Sequence, residues 1–96
     1  MRIIKKEINI IKDVLSQYID DAKITLFGSR LYDDKKGGDI DILVETKHTI
    51  NMREKLEILT KIELNGILRK VDILFKTPIS EKSTIFDTIE KEGVVL

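Results

Sequence analysis

Cysteine is absent from this 96-residue chain, so a disulfide framework, a cysteine-ligated zinc or iron–sulfur centre and a thiol nucleophile are all excluded. Proline occurs once and glycine five times, and no repeat, linker or low-complexity stretch appears. Neither sign of charge predominates: 17 basic residues stand against 17 acidic ones, a formal net charge of zero. The Lys/Arg surplus that marks a nucleic-acid binder is therefore missing, and direct nucleic-acid binding is not expected. No apolar run approaches the ~20 residues of a membrane span. Met1 to Lys6 has no apolar core, so no secretory leader is expected either.

What is present is a folding composition. Hydrophobic residues make up 42% of the chain, with ample Ile, Leu and Val, which separates it from a disordered polar chain. The expectation is a soluble, cytoplasmic, single domain over residues 1–96, burying ~65% of its unfolded surface.

Periodicity divides the chain into short elements. Ile4, Ile8, Ile11, Leu15 and Tyr18 recur at three- to four-residue spacing and predict a helix over residues 3–19. Ile24 to Phe27 reads as a first strand stopped by Gly28. Ile40, Ile42 and Val44 alternate with Asp39, Asp41 and Leu43, giving a second strand with two carboxylates on one face. Asn51 and Glu54 have capping-box spacing at the start of a helix whose buried side is read as Met52, Leu56, Leu59 and Ile62. Val71 to Phe75 forms a third strand, and Thr77-Pro78 fits either a helix start or a plain turn. A last helix carries Ile85, Phe86 and Ile89, stops at Gly93, and leaves Val94 to Leu96 for a short strand. Whether a helix separates the first two strands is open. The pattern predicts a small sheet covered by helices on at least one face.

Carboxylates carry the chemistry. Asp39 and Asp41 lie ~6.5–7 Å apart along an extended strand, directly after Gly37-Gly38. Asp72 interrupts the apolar third strand, where a bare carboxylate is costly to bury unless it is paired or coordinates a metal. If the second and third strands are neighbours, three carboxylates share one patch. Such a patch needs a cation, and its oxygen-only donor set suits Mg²⁺ or Mn²⁺. Two such ions ~3.5–4 Å apart form the clamp used for in-line phosphoryl-type displacement. Gly28-Ser29 ends the first strand in a turn that can bring backbone N–H groups against phosphate oxygens, with the Ser29 hydroxyl as a further donor. Arg30 follows, and either contacts a triphosphate or balances surface charge. His48 reads as an exposed surface residue, Asp33-Asp34 and Lys35-Lys36 as a solvated loop, and Tyr18 and Tyr32 as packing residues.

Leu26 to Arg30, Gly37 to Val44 and Val71 to Ile73 together resemble the DNA polymerase β-like nucleotidyltransferase superfamily: a Gly-Ser turn, an Asp-x-Asp, and a third acid on a later strand. The short chain resembles its minimal nucleotidyltransferases, the antitoxin halves of HEPN–MNT toxin–antitoxin pairs. That resemblance implies an α+β fold, with a small mixed sheet of order 1-2-3 in an α-β-α-β-α-β core. It implies transfer of AMP from ATP to a tyrosine of a HEPN ribonuclease toxin. It makes Asp39, Asp41 and Asp72 the catalytic and metal-holding acids for two Mg²⁺ ions, with Mn²⁺ as a substitute. It makes Gly28 and Ser29, with Arg30 beside them, the phosphate-binding turn.

The chain departs from the family pattern in its connecting loop. Residues 30–38 form a spacer one residue shorter than is usual, Gly38 replaces a common serine, and polar sequence around Lys35 replaces a frequent glycine. Larger members add a helical domain that grips the acceptor. Here that surface is expected from another chain. Two other functions fit the same residues: a non-catalytic antitoxin that neutralises its partner by contact, and a nucleotidyltransferase acting on a small-molecule acceptor.

Overall fold

The computed structural model describes residues 5–28, 39–80 and 83–96. Their elements run in the order α1 (Lys5–Ser16), β1 (Lys23–Phe27), β2 (Ile40–Glu45), α2 (Met52–Leu64), β3 (Val71–Lys76), α3 (Thr84–Glu92) and β4 (Val94–Val95). The strands form one mixed sheet of order β3-β2-β1-β4. β1 pairs antiparallel with both β2 and β4, whereas β2 and β3 run parallel through the α2 crossover. A helix between the first two strands would fall at residues 29–38, outside the described residues.

The strand register explains why the apolar alternation has the phase it has. On one face, Leu26, Ile42 and Ile73 form a row across three strands, and Ile24, Val44 and Phe75 form the next. α1 and α2 cover these rows with Ile11, Val14, Leu15, Ile58 and Ile62, all at most 1% exposed. Full burial of such side chains contributes roughly 1.5–3 kcal/mol each, and this layer is the main core. On the other face, Leu43 packs with Phe86 and Ile89 of α3, and Phe27 and Leu74 flank them. α3 is therefore held over the middle of its face. Beyond it at one end Lys76 pairs with Glu45 at 3.2 Å and with Glu90 of α3 at 3.1 Å. The opposite end carries the aspartates.

Local signals account for the element ends. Asn51 caps α2 in a complete capping box, accepting from the Glu54 amide at 2.8 Å while the Glu54 side chain accepts from the Asn51 amide at 3.4 Å. Thr77-Pro78 proves to be a turn, in which the Ser80 amide donates to the Thr77 carbonyl at 3.1 Å and the Thr77 amide donates to the Ser80 hydroxyl. The cap of α3 is Ser83 instead. The first helix ends at Ser16, short of the expected residue 19, although Ile19 beyond it is still buried.

The buried side of α2 differs from the sequence reading. Ile58 and Ile62 face the sheet with Leu59 beside them, whereas Met52 and Leu56 are 68% and 56% exposed. Leu59 and Ile62 lie on the inward side as expected, but Ile58 completes it. Since each helical residue advances ~100°, Met52 and Leu56 fall on an adjoining face that turns to solvent.

Gly93 stops α3 for a spatial reason. Its N–H donates to the Ile89 carbonyl at 2.7 Å, and a Cβ there would stand 2.5 Å from Thr25 Cγ2, 2.6 Å from the Ile89 carbonyl oxygen and 2.8 Å from that of Leu26. Two of these three neighbours are backbone, so they yield little. Gly93→Ala should cost about 1–3 kcal/mol in urea unfolding, the usual penalty of overpacking. Wild-type stability in that variant would contradict the close approach.

Candidate functional site

The same register that builds the core also assembles the acids. Phe27, Asp41 and Asp72 occupy one row across β1, β2 and β3, on the face partly covered by α3. Neighbouring strands are ~4.8 Å apart, so the Asp41 and Asp72 side chains rise side by side. Asp39 precedes β2 and shares its face with Asp41 by the two-residue repeat of a strand. Asp39 and Asp41 are half-buried, and the Asp72 side chain is 49% exposed. Like charges facing one another across a ladder are destabilising. At 49% exposure the Asp72 carboxylate is in reach of a cation from solvent.

Gly28 follows β1 directly and has a φ of +76°, a left-handed conformation that glycine adopts without a Cβ penalty. A Cβ at this position would stand 2.6 Å from Asp41 Oδ2. The Gly28 backbone therefore lies against the Asp41 carboxylate, which places the turn and the acids in one site. Ser29 and Arg30, the other two expected phosphate-binding residues, lie outside the described residues.

Sequence reading missed two neighbours of interest. Lys70 Nζ is 3.8 Å from Asp72 Oδ1 at the start of β3. A Lys two residues before an Asp on a strand points to the same face, and that spacing was the available signal.

The second is a cluster at the other end of the sheet. Asp20, Asp21 and His48 bring three ligand-type atoms within 4.8 Å of one another, although all three are exposed. His48 Nε2 lies 2.8 Å from Asp20 Oδ1 and 3.7 Å from Asp21 Oδ1. The Lys47 amide donates to Asp21 at 2.8 Å, and the Thr46 hydroxyl donates to the same carboxylate. Together these bonds tie the exit of β2 to the turn before β1. No short-range pattern could announce them, because the partners are 25 or more residues apart.

A mixed four-stranded sheet with three helices, carrying strand-borne aspartates next to a glycine turn, defines an α+β domain of the nucleotidyltransferase type. The family model described as polymerase beta, nucleotidyltransferase matches residues 9–96, and the chain belongs to that family. Members of this family usually use divalent metals and nucleoside triphosphates. Comparison with curated proteins returns no match. Among the described residues no helix is long and apolar enough to cross a membrane.

The distal cluster gives stability a defined pH dependence. The hydrogen bond to Asp20 holds the His48 pKa above its ordinary 6.5, assisted by the charge of Asp21 and opposed by partial desolvation. Its contribution is complete below about pH 6.5 and is lost as pH rises through the elevated value. The Thr46 hydroxyl and then the Lys47 amide hold Asp21 below its ordinary 3.8, so its contribution is present above that value and lost as pH falls through the depressed one. His48→Gln should therefore lose more stability relative to wild type at about pH 5.5 than at about pH 8.5 in urea unfolding. An equal gap at both values would rule out the ion pair as its origin.

Gly28→Ala tests the near end. It should lose about 1 kcal/mol for the positive φ alone, and the displaced Asp41 carboxylate should weaken Mn²⁺ binding in a calorimetric titration. Unaltered Mn²⁺ affinity would separate Gly28 from the acids.

Proposed function

We propose that the protein is a metal-dependent nucleotidyltransferase that moves AMP from ATP onto a tyrosine hydroxyl of a HEPN-type ribonuclease, and so acts as that partner's antitoxin. The observation that carries the reading is the row setting Asp41 beside Asp72, with the Gly28 backbone against the Asp41 carboxylate. A non-catalytic role needs no such arrangement, and the repulsion it entails works against stability. Family membership over residues 9–96 supports the transferase class.

The donor set fits the expected cation. Asp39, Asp41 and Asp72 offer carboxylate oxygens alone, half-buried or exposed at a sheet end, which suits a hard ion that keeps several waters. These three residues would hold Mg²⁺, which when bound neutralises triphosphate charge and acidifies a hydroxyl. The remaining work falls to the chain. The left-handed turn at Gly28 sets a backbone N–H beside the aspartate row, where the phosphates of a bound triphosphate would lie, and the Ser29 hydroxyl that follows in sequence would be a further donor. Asp72, on the outermost of the described strands, would take the proton of the acceptor hydroxyl. A bond forms from the acceptor oxygen to the α-phosphorus, the α–β bridging bond breaks, and pyrophosphate leaves with the electron pair.

The test is label transfer from α-labelled ATP to the HEPN partner in the presence of Mg²⁺. Wild type should label the partner, and Asp39→Asn, Asp41→Asn and Asp72→Asn should each reduce the rate by about 10²–10⁴-fold with unchanged circular dichroism. A triple variant that still silences the partner as well as wild type would replace transfer by steric neutralisation.

A further inference from the structure

We infer that Lys70 is a positioning residue of the acid row: its ammonium is the counter-ion of Asp72 in the metal-free protein, and a divalent cation takes Asp72 by displacing it. The inference rests on the nucleotidyltransferase reading and adds how the site admits its metal. Lys70 Nζ stands 3.8 Å from Asp72 Oδ1, with side-chain exposures of 70% and 49%. At that separation the two charges attract but share no hydrogen bond, which needs ~2.7–3.2 Å.

The pairing of β2 with β3 places the lysine. The Ile40 amide donates to the Lys70 carbonyl at 2.9 Å, so the ladder that sets Ile40 beside Val71 extends one step back and sets Asp39 beside Lys70. Lys70 shares the face of Asp72 by the two-residue strand repeat, as Asp39 shares that of Asp41. The four positions form two rows on the face that carries α3: Asp39 with Lys70, then Asp41 with Asp72. The backbone of Lys70 is pinned to β2, whereas its ammonium ends a flexible four-carbon stem in solvent.

This combination suits a counter-ion that can be exchanged. An exposed ion pair without a hydrogen bond contributes little to stability, so the lysine is readily displaced. A divalent cation brings twice the charge in compact form and binds several carboxylate oxygens at once, which lets it outcompete an ammonium at Asp72. A monovalent ion brings no more charge than Lys70 already supplies. The lysine therefore raises the threshold for occupancy and favours divalent over monovalent ions. Its signature is a sign. Replacing a residue that only shaped the strand would weaken metal binding or leave it unchanged, whereas removing a competing cation strengthens it.

Calorimetric titration with Mn²⁺ in 0.15 M salt reads that sign without turnover. Lys70→Met, which keeps an unbranched stem and removes the charge, should bind Mn²⁺ about three- to tenfold more tightly than wild type. Its melting temperature should also rise further than that of wild type at the same Mn²⁺ concentration. Lys70→Arg restores the charge and should bind as wild type does. Lys23→Met controls for net charge. Lys23 pairs with Glu45, four residues or ~13 Å along the sheet from the Asp41 row, beyond the ~8 Å screening length, and its loss should leave the affinity unchanged. Wild-type or weaker binding in Lys70→Met, equal tightening in Lys23→Met, or tightening in Lys70→Arg would each overturn the counter-ion role and leave the nucleotidyltransferase reading standing. Asp41→Asn judges that reading separately. If this variant binds Mn²⁺ as wild type does, the reading fails, and the role of Lys70 fails with it.

Discussion

Two carboxylates on adjacent parallel strands, Asp41 and Asp72, set the constraint around which this small structure is arranged. Each lies one strand spacing from the other, at a distance where like charges oppose folding. The sheet can accommodate them because the opposite face is a continuous apolar layer, with Leu26, Ile40, Ile42 and Val44 all fully buried. Every second residue of β2 contributes to that layer, and this leaves the alternate positions free to carry charge. The core and the acid row are two consequences of one register. A one-residue slip of β2 would drive the aspartates into the core and the isoleucines into water.

The acid-bearing face is graded along its length. Its middle is sealed by Leu43, Phe86 and Ile89. One end is closed by Lys76 between Glu45 and Glu90, an arrangement in which opposite charges balance and which raises the Lys76 pKa through those two carboxylates. The other end carries Asp41 and Asp72, with Lys70 3.8 Å from Asp72. The two glycines at the sheet's ends complete it. Gly93 lets α3 end tightly against β1, and Gly28 lets the chain turn away from β1 without striking Asp41.

Much of this was legible in the sequence, for reasons that particular residues make clear. The second strand was readable because Asp39 to Ile42 alternates and Leu43-Val44 continues it as an apolar run, and the capping box at Asn51 and Glu54 is a local device that needs no tertiary knowledge. Asp41 and Asp72 stood out because a carboxylate within an apolar strand has few purely structural uses. The inward side of α2 was less legible: the sequence offers Met52 and Leu56 as well as Ile58, and only packing against α1 and the sheet decides among them. The Asp20–Asp21–His48 cluster was not legible at all, because its members meet only through the β1–β2 pairing.

The presence of two acidic groupings at opposite ends of one sheet allows a direct test. Mn²⁺ broadens amide resonances near its binding site, so a titration of the isotope-labelled protein maps where a divalent cation sits. Broadening should centre on Gly28, Asp39 to Asp41 and Asp72, and be lost in Asp41→Asn. Broadening centred on Asp20, Asp21 and His48 instead, with the strand aspartates unaffected, would contradict that placement.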